Sequence, residues 1–72
     1  MMQIRYVYAG SIIGDGYMTT IPRMGDFIEF QTLNTIFKVE AVMFKAVLSG
    51  DVGAIVYLKD VMPETEEKLR KY

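Results

Sequence analysis

The sequence contains no cysteine, no histidine and no tryptophan, and only two of its 72 residues are proline. The missing cysteine excludes a disulfide scaffold and a thiolate zinc site. The missing histidine excludes every acid–base or nucleophilic scheme built on imidazole. Charge of one sign is also lacking: eight Lys and Arg stand against nine Asp and Glu, a net charge of −1. With a sequence pI near 5.2, the chain has no basic stripe for a phosphate backbone. Its bases are scattered at Arg5, Arg23, Lys38, Lys45 and Lys59, then Lys68, Arg70 and Lys71. Long apolar runs are missing as well. The longest charge-free stretch, Tyr6 to Gly14, has nine residues, against the roughly 20 a membrane-spanning helix needs. It makes a poor signal peptide, with only Arg5 before it and no apolar block. A cytoplasmic protein without membrane association, metal or cofactor is expected.

What remains is apolar and extended in character. Apolar residues make up 51% of the chain, which with so little net charge excludes intrinsic disorder. Seven Val, seven Ile, five Thr and nine aromatics supply 28 residues with strand preference. A chain of 72 residues has room for one domain. Domains this small bury only about 60% of their unfolded surface. Some apolar surface is therefore left over, and a partner or a second copy is the expected cover.

Residues 2–9 alternate, which places Met2, Ile4, Tyr6 and Tyr8 on an inward face and Gln3, Arg5, Val7 and Ala9 on the other. Gly14-Asp15-Gly16 reads as a turn, because Gly and Asp tolerate positive φ. It lacks the extra carboxylates of a calcium loop and the Lys-Ser/Thr of a phosphate loop. Ile12-Ile13 and Tyr17-Met18 would be short strand ends within a long loop, Gly10 to Asp26. Ile21-Pro22-Arg23-Met24-Gly25-Asp26 is a tight turn with Pro22 and Asp26 in structural roles. The strand 27–32 follows, Ile28 and Phe30 inward, Phe27 and Glu29 outward. Asn34 suits a left-handed hairpin position.

The run 36–48 changes phase near Glu40-Ala41. A bulge there keeps Phe37, Val39, Val42 and Phe44 inward and bends the strand; a helix over 39–48 is the competing reading. Ser49–Gly53 is a further turn. In the strand 54–61, Val56 and Leu58 point inward, Ile55 and Tyr57 outward. The tail from Met62 to Tyr72 runs from acids to bases. Glu64–Lys68, Glu66–Arg70 and Glu67–Lys71 have the favourable i,i+4 order. Nine residues are too few for a stable isolated helix, so a frayed helical turn or a solvated tail is expected.

Four or five strands with one sharp bend, and a single apolar face, are best satisfied by a sheet that curls on itself. The expected fold is a mainly β, small half-open antiparallel barrel of the Src-homology type over residues 1–61, with a charged tail over 62–72. An oligonucleotide-binding-type barrel is the alternative. The segments Ile21–Ile28, Phe37–Val42 and Ile55–Leu58 together resemble small uncharacterised proteins of bacterial and phage genomes. Those proteins carry a Pro-Arg-x-Gly-Asp turn, a Tyr/Phe-x-Val-x-x-Val strand and a Val-x-Leu strand. The resemblance spans residues 2–61. It implies the barrel, and it transfers no catalytic residue.

Enzymatic activity is not expected. Asp15, Asp26, Asp51 and Asp60 fall at turns or strand ends, Glu29 and Glu40 on outward faces, and no two carboxylates are brought to a cleft. The expected function is a protein-interaction module, an adaptor or inhibitor whose partner is another protein or a second copy of itself. Tyr17, Met18, Phe27, Ile55 and Tyr57 are the candidate contact residues, since aromatics and Met are enriched at interface cores. Two alternatives stand beside it. One is nucleic-acid binding with Tyr rings as stacking platforms; the other is small-ligand capture between two copies.

Overall fold

A computed structural model describes residues 2–45 and 53–71. Among these residues there are five strands and one helix: β1 (Met2–Tyr8), β2 (Ser11–Met18), β3 (Phe27–Phe30), β4 (Thr35–Phe44), β5 (Ala54–Asp60) and α1 (Pro63–Arg70). The strands make one sheet in the order β2-β1-β5-β4-β3. It curls into a half-open barrel, the mainly β architecture expected from the sequence. The expected antiparallel pairing holds for three of its four ladders. β1 and β5 run parallel, with Ile4 beside Ala54, Tyr6 beside Val56 and Tyr8 beside Leu58. β1–β2 is a hairpin and β3–β4–β5 a meander, and the pairing of β1 with β5 joins them with Ile4, Tyr6, Val56 and Leu58 in one core.

The expected turn at Gly14-Asp15-Gly16 is not formed. All three residues lie inside β2, opposite Tyr6, Arg5 and Ile4. The chain reverses earlier, at Ala9 and Gly10, which hold φ of 50° and 80° between the paired Tyr8 and Ser11. Two consecutive positive φ values make the type I′ hairpin turn, whose twist matches that of the strands. The long loop from Gly10 therefore shrinks to the connection 19–26. Its tight turn spans Arg23 to Asp26, two residues later than Pro22 at the second turn position suggests. The Asp26 N–H donates to the Arg23 carbonyl at 3.0 Å, and the Arg23 N–H to Asp26 Oδ2 at 2.8 Å. Pro22 precedes the turn and is buried. Asn34 takes the left-handed conformation expected of it, φ 50°.

The core forms where the inward rows meet. Ile4, Tyr6, Phe37, Val39, Val56 and Leu58 are buried together, flanked by Tyr8, Ile13, Met18, Ile21, Ile28, Phe30 and Val42. Tyr6 on β1 meets Phe30 on β3 edge to face, ring centroids 4.9 Å apart. Those two strands are far apart in the sheet order, so this contact exists only because the sheet curls. Phe37 joins them at 5.7 Å from Phe30 and 4.9 Å from Tyr8. The bend comes from the expected bulge: the register of β4 on β5 slips between Val39 and Ala41, leaving Glu40 unpaired. Phe37, Val39 and Val42 accordingly face inward. Phe44 keeps the inward phase opposite Ala54 but is 67% exposed, because it lies beyond the end of the aromatic interior. The expected turn at Ser49–Gly53 lies outside the described residues, except for Gly53.

The charged tail is a helix held to the sheet rather than a solvated segment. Arg70 binds Glu66 Oε1 at 3.0 Å, Glu29 Oε2 at 3.0 Å and the Asn34 carbonyl at 3.0 Å. One guanidinium thus links α1 to β3 and to the β3–β4 loop. The helix covers Ile36, which is buried on the outward face of β4.

Candidate functional site

The two faces of the sheet have different fates. The inner face is closed by its own aromatics, and the helix lies over the β3–β4 end of the outer face. The rest of the outer face carries no cover among the described residues. Cross-strand register places its side chains in rows. One row runs Ile12, Val7, Tyr57, Ala41 across β2, β1, β5 and β4. The next runs Asp15, Arg5, Ile55, Met43. Tyr17, opposite Gln3, starts a third. The apolar members are Ile12 (61% exposed), Tyr17 (67%), Met43 (44%) and the half-buried Val7, Ile55 and Tyr57. Ile12, Val7, Tyr57, Ala41, Ile55 and Met43 thus adjoin on four strands, a larger feature than the scattered exposed hydrophobics of an ordinary monomer, and the Arg5–Asp15 pair lies between them and Tyr17.

Three of the five candidate residues thus share one surface: Tyr17, Ile55 and Tyr57. Ile55 and Tyr57 are half-buried in the flat centre of the sheet instead of projecting freely. Met18 is a correction. It turns inward at the end of β2, packs against the core and accepts a hydrogen bond from the Tyr6 hydroxyl at 3.0 Å. The expected long loop had made it a contact residue; the strand's alternation takes it in. Phe27 is outward as expected, but on β3 in a separate row with Lys38 and Lys59. The Lys38 ammonium lies 5.7 Å from its ring centroid.

Sequence reasoning missed Ile12, Ala41 and Met43. Met43 and Ala41 follow from the bulge once their inward neighbours are placed. Ile12 was hidden by the supposed loop, and its outward position needs the second register slip, at Tyr6/Val7 opposite β2.

Two cross-strand polar pairs are formed, Arg5–Asp15 on this surface and Tyr8–Asp60 at the edge of the inner face. Arg5 binds both Asp15 oxygens, at 2.9 and 3.2 Å. That hydrogen bonding holds the Asp15 carboxyl below the usual carboxylate range. The Tyr8 hydroxyl donates to Asp60 Oδ1 at 2.7 Å. This bond, with some burial and the carboxylate's charge, raises the Tyr8 pKa. Burial also raises that of Tyr6. Each partnership lies across strands, where it fixes register.

Among the described residues no group of three or more acidic side chains is placed to hold a metal ion. No helix among them is long and apolar enough to cross a membrane. Among the described residues three shallow depressions adjoin Phe27. The largest, about 480 Å³, lies between the end of β2 and β3 and is lined by Met18, Ile21, Pro22 and Ile28 among others. A second, about 330 Å³, is bordered by Lys38, Lys59 and Thr65.

No protein-family model matches the chain, and no curated protein or solved structure matches it either.

Proposed function

We propose that this chain is a non-enzymatic protein-interaction module, an adaptor or inhibitor whose outer sheet face docks an apolar surface of another protein. The observation that carries this reading is the uncovered row Ile12–Val7–Tyr57–Ala41 with Ile55 and Met43 beside it. Burying such a surface removes apolar area from water at about 25 cal/mol per Å². Aromatic anchors at the centre of a patch carry most of an interface's energy, and Tyr57 holds that position. The charged groups support the same reading. Arg5 with Asp15 borders the patch as a polar rim, and Arg70 with Glu29 and Glu66 holds the helix away from it. A cytoplasmic setting suits a chain without cysteine.

The test is capture of binding proteins from the source cells by immobilised wild-type, Tyr57→Ala and Ile55→Asp chains. Both variants are expected to lose the captured partner by tenfold or more while keeping the wild-type circular-dichroism spectrum. Equal capture by the folded Ile55→Asp variant contradicts the assignment. A second reading, nucleic-acid binding, has one observation behind it: Lys38 and Lys59 face each other beside the Phe27 ring. Retention on mixed oligonucleotides at low salt, lost in Lys38→Gln/Lys59→Gln, is the result that favours it.

A further inference from the structure

The sheet has two edges, and they are treated differently. β3 has four residues. It is prolonged by main-chain bonds that tie Gly25 and Asp26 to Val39 at 2.9 and 2.8 Å, and Arg70 straps the helix to its Glu29. β2 has eight residues, and among the described residues no strand pairs its outer side. It carries neither Lys nor Pro, the usual guards of a bare edge. Its one charge, Asp15, is bound by Arg5 of its own hairpin. The bulge at Ile12–Ile13 leaves Gly14–Met18 as the regular stretch.

That stretch holds two glycines the fold does not require. Neither Gly14 nor Gly16 has positive φ. A Cβ on Gly14 meets nothing within 4 Å, and one on Gly16 makes an ordinary 3.5 Å contact with the Tyr6 ring. Glycine weakens a strand and marks a bulge, a bend or a close approach by another backbone; Gly14 adjoins the bulge at Ile12–Ile13, whereas Gly16 lies two residues further on and is open to a close approach.

We infer that β2 pairs with β2 of a second copy, antiparallel, about a two-fold axis at Gly16. The regular stretch is symmetric about that residue. Pairing there sets Gly16 opposite Gly16, Gly14 opposite Met18 and Asp15 opposite Tyr17 of the second copy. The missing side chain at Gly14 leaves room for Met18. The phenol of Tyr17 meets the Asp15 carboxylate and the guanidinium beside it, a complementary contact. An axis at Asp15 sets two carboxylates face to face, which is repulsive. An axis at Tyr17 pairs only three strand residues. The Gly16 axis also runs the two outer faces into one, with Tyr17 at the seam. The inference therefore builds on the proposed interaction module, while resting on a different strand. Five paired residues a side bury less than the roughly 1,600 Å² of a standard interface, so the association is concentration-dependent rather than obligate.

Sedimentation equilibrium over a wide concentration range, combined with Gly14→Val, tests this. In a monomer the Cβ of Val at this site meets nothing within 4 Å and Val suits a strand, so the melting temperature is expected to hold or rise. The dimer dissociation constant is expected to rise at least tenfold, because the new side chain collides with Met18 of the second copy. In a chain free of other cysteines, Gly16→Cys is expected to form a disulfide dimer under mild oxidation, and Ile12→Cys is not. Should Gly16→Cys fail to fold, hydrogen exchange of the wild type serves instead: β2 amides gain protection as concentration rises. A strict monomer at millimolar concentration overturns the inference. So does a dimer indifferent to Gly14→Val and without concentration-dependent protection in β2. If Ile55→Asp abolishes the dimer and Gly14→Val does not, the edge inference falls and the interaction face stands. If Ile55→Asp leaves both the dimer and partner capture intact, the face falls and the edge stands.

Discussion

Ala9 and Gly10 show how much a single backbone position decides. The β1–β2 turn needs positive φ at both, and Ala9 bears the strain of holding 50° with a Cβ. Asn-Gly is the preferred pair for this turn. Ala9→Asn is expected to stabilise the protein by about 1 kcal/mol, read from the midpoint of urea unfolding; an unchanged or lowered midpoint contradicts the turn. Position also decides the weight of equal side chains. Ile4 is fully buried, and Ile12 is mostly exposed on the opposite face. Ile4→Ala is expected to cost about 2–5 kcal/mol, and Ile12→Ala under about 0.5 kcal/mol. The same urea series checks both.

The paired side chains give the molecule two pH limits. The folded pKa of Asp15 is depressed by Arg5, so its contribution is present above the unfolded carboxyl value and is lost as pH falls through the folded one. The folded pKa of Tyr8 is raised by Asp60. Its contribution is complete below the ordinary tyrosine value and is lost as pH rises through the raised one. Stability measured against pH is expected to lose its acid step in Asp15→Asn and its alkaline step in Tyr8→Phe, and persistence of either step excludes that group as its source.

Strands that state their own alternation were legible: β1, β3 and β5 fall where period-two patterning puts them. So did the bulge in β4, because two inward phases of opposite parity meet at Glu40–Ala41. β2 was illegible for a definite reason. Gly and Asp carry turn propensity locally, whereas membership of a strand is decided by the partner. The residues that recruit this segment are Arg5, which holds Asp15, and Tyr6, which lies opposite Gly14. The helix was half legible. The Glu66–Arg70 pairing was expected, but an i,i+4 pair cannot show that the same guanidinium also reaches Glu29 and Asn34 across more than 30 residues of chain. Arg70 therefore predicts its own consequence. Arg70→Ala is expected to lower stability by about 1 kcal/mol, an exposed pair network being weak. It should also fray α1, with loss of helical ellipticity and exposure of Ile36 while the sheet signal remains. Unchanged ellipticity excludes Arg70 as the strap.

The division of labour between the two faces follows from size and curl. A sheet of this length with no disulfide has to bury one face on itself, and Tyr6, Phe30 and Phe37 meet across the interior for that reason. The other face is then left with Val7, Ile12, Ile55, Tyr57 and Met43, which composition alone announced as surplus apolar residues without locating them. Ile55 and Tyr57 were legible as outward strand positions, Tyr17 only as a residue of the supposed loop. Their union on one surface was not, because it depends on β5 lying parallel beside β1, a pairing between residues some 50 positions apart that no local pattern encodes.

The division is most directly measured by recording methyl spectra of the dilute protein with and without a soluble paramagnetic nitroxide. Strong broadening is expected for the methyl groups of Ile12 and Met43, intermediate broadening for Val7 and Ile55, and none for Ile4, Val39, Val56 and Leu58. Equal protection of the two sets, or broadening that favours the second, contradicts an apolar face left open for a partner.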